Sequence, residues 1–117
     1  KKTTLGIIDD DGENYIDFQI PTIVTKAIWS KDNKTVYYAQ PNEVPDDVVW
    51  PNDYNDKKFI TQDTFYKIDI ETSKKSRIIE LKDITEQVDA TNLFISPSED
   101  MLFFVNRVDG LLYRLKL

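Results

Sequence analysis

Residues 29–38 read WSKDNKTVYY, and residues 95–104 read ISPSEDMLFF. The two stretches align without a gap: a strand ends in serine, a polar turn follows, and an aromatic pair opens the next strand. A second alignment, at an offset of 60 residues, sets Leu5-Gly6-Ile7-Ile8-Asp9 on Phe65-Tyr66-Lys67-Ile68-Asp69. Self-similarity at a fixed spacing marks a chain built by repeating one supersecondary unit.

Outward from these stretches, apolar residues recur at period two, and β-branched and aromatic residues fill the runs between turn signals. Tyr66, Ile68 and Ile70 alternate with Lys67 and Asp69, and Tyr113, Leu115 and Leu117 alternate with Arg114 and Lys116. Both are half-buried strands by pattern. The chain therefore reads as all-β. With the strands of a four-stranded antiparallel unit named A to D, a first C is expected near residues 4–9 and a first D near 15–20. A complete unit follows at about 26–30, 36–40, 64–70 and 77–82. A last A, B and C fall near 92–96, 101–106 and 111–117. These divide one 117-residue domain into parts at about 1–22, 23–83 and 84–117. The long insertion 41–63 separates B from C in the middle unit, where the last unit has only Arg107-Val108-Asp109-Gly110.

Composition fits this picture. A chain of 117 residues with 40% hydrophobic and 12% aromatic residues is enough for one core, burying roughly 65% of the surface its unfolded form exposes. Fifteen Lys and Arg against twenty-one Asp and Glu give a net charge of −6, with no basic stripe to follow a phosphate backbone, so nucleic acid is not an expected partner. No apolar run is long enough to span a bilayer, and no signal-peptide core follows Lys1-Lys2-Thr3-Thr4. The chain starts without methionine, close to its first strand pattern, and is expected to be part of something longer or to assemble with other copies. It contains neither cysteine nor histidine. That removes disulfides, thiolate and imidazole metal sites and Ser/His or Cys/His catalysis, leaving carboxylate, Lys, Tyr or Arg chemistry.

WSKDNK and ISPSED resemble the WSPDGK signature of the TolB-type, WD-like β-propeller repeat, in which strand A ends in Ser-Pro and an Asp-Gly turn leads into B. The stretch 103–115, FFVNRVDGLLYRL, resembles the same family's apolar strand, SNRDG and LYxL. LGIIDDDG at residues 5–12 is similar to its LYVMDADG. Asn33 and Asp100 stand where the family prefers glycine, residue types that accept left-handed backbone, and Lys31 replaces the first proline. The resemblance implies propeller-type blades, about two and a half of them, completed by further sequence or by an oligomer; the alternative is a smaller closed sandwich that reuses such hairpins. A complete ring has typically four to eight. It also implies a place outside the cytoplasm, in the periplasm or at the cell surface.

Two places could hold function. The acidic stretch 7–16, IIDDDGENYI, fails as an EF-hand loop. Placing Gly12 at position 6 puts Ile7 at position 1 and Phe18 at position 12, neither of them a side-chain ligand. It reads as a C-to-D turn in which Asp11-Gly12 supplies positive φ, aligned with Glu71-Thr72. Asp9, Asp11 and Asn14 are the side chains a cation would use if the alternative held. The insertion carries Trp50 and Tyr54 among Asp46, Asp47 and Asp53, an aromatic and acidic set able to dock a basic peptide, a sugar or a partner surface. Its other reading is a lid formed by Val48, Val49 and Trp50 over the sheet. Trp29, Tyr37, Tyr38, Phe103 and Phe104 are expected in the core. The sequence thus predicts a non-enzymatic propeller segment, without metal or cofactor. It would serve protein binding or architecture in an exported or surface protein, with further blades, a protein partner or its own copies as partners. The alternative is an accessory propeller of a larger hydrolase, as in prolyl oligopeptidase-like peptidases.

Overall fold

Two serine turns organise the molecule. The Ser30 amide donates to Thr35 O at 2.8 Å and Ser30 O accepts from the Asn33 amide, while the Ser96 amide donates to Met101 O at 3.0 Å and Ser96 O accepts from the Glu99 amide. Each serine Oγ also accepts the amide that opens the next strand, Thr35 or Met101 at 3.1 Å. The two aligned stretches are therefore the same hairpin, bonded in the same way. In the second copy the left-handed residue is Glu99 (φ 59°), in register with Asn33 (φ 60°). This corrects the expectation for Asp100, whose carboxylate instead accepts the hydroxyls of Ser96 and Ser98.

The computed structural model describes residues 3–42, 44, 52–55, 59–79 and 83–117. Among these, the strands are β1 (Leu5–Ile7), β2 (Ile16–Ile20), β3 (Ala27–Trp29), β4 (Thr35–Pro41), β5 (Asp63–Asp69), β6 (Lys75–Arg77), β7 (Ala90–Ile95), β8 (Met101–Asn106) and β9 (Leu112–Lys116). A 3₁₀ turn, Val24–Lys26, precedes β3, and a one-turn helix α1, Asn52–Asn55, lies in the insertion. The strands form three antiparallel sheets, β1-β2, β3-β4-β5-β6 and β7-β8-β9. Every strand pairs with its sequence neighbour, so each sheet is a meander. The grouping follows the C-D, A-B-C-D and A-B-C order of the sequence pattern, with β6 falling earlier than the 77–82 stretch.

The C-to-D turns are alike but differ by one residue: the second closes over one residue more, and its left-handed residue is Ser73 where the alignment with Asp11-Gly12 expected Thr72. The Asp9 amide donates to Glu13 O and the Asp69 amide to Lys74 O, both at 2.9 Å. Gly12 (φ 82°) and Ser73 (φ 59°) supply the left-handed backbone.

The sheets stack face to face in chain order, because the second sheet is apolar on both sides. One face packs on the first sheet: Val36, Tyr38 and Ile68 join Leu5, Phe18 and Ile20 in one buried cluster. The opposite face packs on the third: Ala39 and Phe65 join Leu93, Leu102 and Phe104 in another, with Ile28 and Tyr37 against it. Alternation along β4 sends Val36 and Tyr38 one way and Tyr37 and Ala39 the other. Aromatic pairs tie the layers, Phe65 to Phe104 across the sheets at 4.9 Å and Tyr38 to Tyr66 within one at 5.7 Å.

Tyr38 and Phe104 are buried, whereas Phe103 is half-buried on the outer face of the third sheet, stacked on Phe94, and Trp29 is 41% exposed, both against the expectation that they sit in the core. Trp29 lies opposite Val36, on the face that packs against the first sheet. That sheet has two strands against four and is too narrow to cover β3. Trp29 instead borders an open hollow with Ile7, Ile8, Asn33 and Ile70.

Candidate functional site

At the end of the second and third sheets where β3, β5 and β7 begin, four charged side chains meet. The 3₁₀ turn, closed by the Lys26 amide on Ile23 O at 3.0 Å, delivers Lys26 inward at the base of β3. Asp63 opens β5. Asp89 immediately precedes β7, and Arg107 immediately follows β8. Lys26, Asp63 and Asp89 are fully buried. Main-chain bonds fix their approach: the Asp63 amide donates to Val88 O at 2.7 Å and the Arg107 amide to Asp89 O at 2.8 Å.

Lys26 Nζ lies 2.5 Å from Asp63 Oδ2, 2.9 Å from Asp89 Oδ1 and 2.6 Å from Ala90 O. An ammonium has three protons, and all three have acceptors. Asp63 Oδ2 also accepts the Ala90 amide at 2.8 Å. Asp89 accepts the Tyr54 hydroxyl at 2.5 Å, the Thr61 amide at 3.1 Å and Arg107 at 3.1 Å. The Arg107 guanidinium carbon lies over the Tyr54 ring, 3.6 Å from its centroid, with Lys26 Nζ 5.0 Å from the same centroid. Two cations thus face two carboxylates around one aromatic ring, and the cluster is close to neutral.

Each group is biased by this enclosure. Burial pushes the Asp63 carboxyl up against the pull of Lys26. At Asp89 burial acts the same way, but Lys26 and the Tyr54 hydroxyl together hold it below the usual carboxylate range. Burial and the Asp89 carboxylate push the Tyr54 phenol up, so it stays a donor. With Lys26 saturated and its partners out of contact with solvent, the cluster clamps the second sheet to the third.

Tyr54 was read in the sequence as a binding residue. It lies buried at 3% exposure, with Arg107 also donating to its carbonyl at 2.8 Å. Helix α1 therefore turns Tyr54 toward the sheets. Asp53 beside it is half-buried. Trp50, Asp46 and Asp47, with Val48 and Val49, lie outside the described residues. Lys26, Asp63 and Asp89 carry no motif, and Arg107 falls in the stretch that resembles SNRDG without marking it as an ion-pair residue. Their one sequence signal is a charge set at the border of an apolar run, as in Ile23-Val24-Thr25-Lys26-Ala27-Ile28-Trp29.

The acidic stretch forms the β1–β2 turn. Asp9 Oδ2 accepts the Asn14 side-chain amide at 2.6 Å, and Asp11 Oδ1 accepts the Glu13 main-chain amide at 3.1 Å. Asn14 itself adopts φ 56°. These three side chains are engaged in shaping the turn. Among the described residues, no group of three or more His, Cys, Asp or Glu is placed to hold a metal ion, and no helix is long and apolar enough to cross a membrane.

The chain matches no protein-family model, no curated protein and no solved structure.

Proposed function

We propose that this chain is a non-enzymatic β-propeller segment that serves as an architectural and protein-binding module of an exported or cell-surface protein. The observation that carries the reading is the stacking of three antiparallel meanders in chain order, with one apolar core at each junction. The serine turns, bonded alike in two copies, support a repeated blade unit. The location outside the cytoplasm rests on the resemblance of the repeat sequences.

In this reading β9 is a binding edge. The Asn106 amide bonds Leu111 O, and the Leu117 amide bonds Asp100 O. The odd-numbered residues of β9 therefore face β8, and the main-chain groups of Leu112, Arg114 and Lys116 point away from it. Their counterparts in the second sheet are Phe65, Lys67 and Asp69, which occupy the same places against Ala39, Tyr37 and Thr35. There Phe65 O accepts the Ile78 amide and the Asp69 amide bonds Lys74 O, so these positions hold β6. An added strand in the manner of β6 satisfies the same groups on β9.

The test is to extend the chain after Leu117 with the sequence of residues 71–79, ETSKKSRII, which follows β5 and forms β6 in the second sheet. A blade-type third sheet takes up this strand, and the thermal midpoint rises by several degrees, the effect of about 1 kcal/mol in a domain of this size. A scrambled extension gives no rise. If the native and scrambled extensions behave alike, the reading fails.

A further inference from the structure

The third sheet repeats the second face by face. The 66-residue offset between the aligned hairpins sets Phe94, Phe103 and Val105 on Ile28, Tyr37 and Ala39, and Leu112 takes the place of Phe65. In the second sheet that face is covered by the third. In the third sheet it is open: Phe94 is 46% and Leu112 61% exposed, with Phe94 stacked on Phe103 at 4.9 Å. Arg114 stands opposite Phe103 on the same face, and Lys116 opposite Met101.

The other end of the stack offers the reciprocal surface. Alignment of Leu5–Asp9 with Phe65–Asp69 gives Gly6 the position of Tyr66, which in the second sheet looks back to the preceding sheet. The Tyr15 ring lies on Gly6, where an added Cβ would come within 2.9 Å of its hydroxyl. Tyr15 is 63% exposed. Asp17 stands opposite Gly6 on the same face, and the adjoining β1–β2 turn carries Asp9, Asp10, Asp11 and Glu13. Residues 3–25 contain no Lys or Arg, and the β9 segment 110–117 contains Arg114 and Lys116 and no acid.

We propose that copies of this chain associate head to tail, the open face of the third sheet of one stacking on the open face of the first sheet of the next. This rests on the blade reading above and names its partner, a second copy. Two observations select that partner. The contact continues the stacking rule that the chain already uses twice, and it sets an apolar, basic face on an apolar, acidic one. Such a contact is heterologous, joining different surfaces, and gives a closed ring or a growing series.

Sedimentation velocity of the full chain over rising concentration tests this. Association beyond the 13.7 kDa monomer is expected in the micromolar to millimolar range, roughly 4 to 8 kcal/mol, and it weakens as salt rises. Tyr15→Lys spoils one face and Phe94→Asp the other, and each should weaken self-association by about tenfold or more. Mixed together, the two variants retain one intact pair of faces and form a 1:1 complex, an outcome that a symmetric contact would not give. Leu112→Asp replaces Phe94→Asp if circular dichroism shows the latter unfolded. A wild-type chain that stays monomeric at millimolar concentration overturns the proposal. So does association indifferent to both variants, or a mixture that does not pair. A stabilising ETSKKSRII extension alongside a monomeric wild type rejects the stacking of copies alone. A neutral extension rejects the blade reading beneath it.

Discussion

Lys26 shows how one side chain can hold two layers together. Its ammonium spends all three protons on Asp63, Asp89 and Ala90 O with no exposure to water. Removing one member of such a set leaves the others charged and uncompensated, at a typical cost of about 3–5 kcal/mol. Lys26→Met should lose about that much in urea denaturation, against a total of about 5–15 kcal/mol for a domain of ordinary stability. A change under 1 kcal/mol would show that the cluster is not a clamp. Tyr38 predicts the opposite sign. Its hydroxyl is buried without a hydrogen-bond partner among the described residues, and burial holds its phenol up at about 12. Tyr38→Phe keeps the ring on Tyr66 and deletes the unbonded group, so stability should rise by about 1 kcal/mol. A loss of stability on the same denaturation curve would mean that the hydroxyl has a partner.

At the scale of the element, eight of the nine strands among the described residues were legible because period-two alternation and polar turns are local signals, while β6 lies ahead of the expected 77–82. The grouping into sheets was legible because the hairpins repeat. Burial beyond the strand was not. Trp29 looked like core from its repeated position, and only the two-strand width of the first sheet leaves it open. Lys26, Asp63, Asp89 and Arg107 are lone charges far apart in sequence, brought together because each sits at a strand end on the same side of two stacked sheets. No local window contains that fact. The turn residues invite a direct check, since Glu99 holds φ 59° at a position where glycine has no steric penalty. Glu99→Gly should stabilise by about 1 kcal/mol, and Asn33→Gly by less, because asparagine already tolerates that backbone. Asp100→Gly should destabilise, since it loses the hydroxyls of Ser96 and Ser98. Thermal melts of the three variants order these effects, and a destabilising Glu99→Gly would contradict the turn assignment.

Across the whole molecule, three sheets in chain order leave two unlike ends, one acidic and one basic with exposed aromatics, and an unpaired strand edge on β9. In the proposed reading these features serve stacking and strand addition. The edge is the more direct of the two to observe, because its main-chain groups are known by residue. Amide hydrogen exchange at Leu112, Arg114 and Lys116, compared between the 117-residue chain and the chain extended by ETSKKSRII, measures it. Fast exchange in the first and slowing by about tenfold or more in the second, equivalent to about 1.4 kcal/mol of protection, is the expected result. Equal rates in the two chains, or amides already protected before the extension, would contradict an open blade edge.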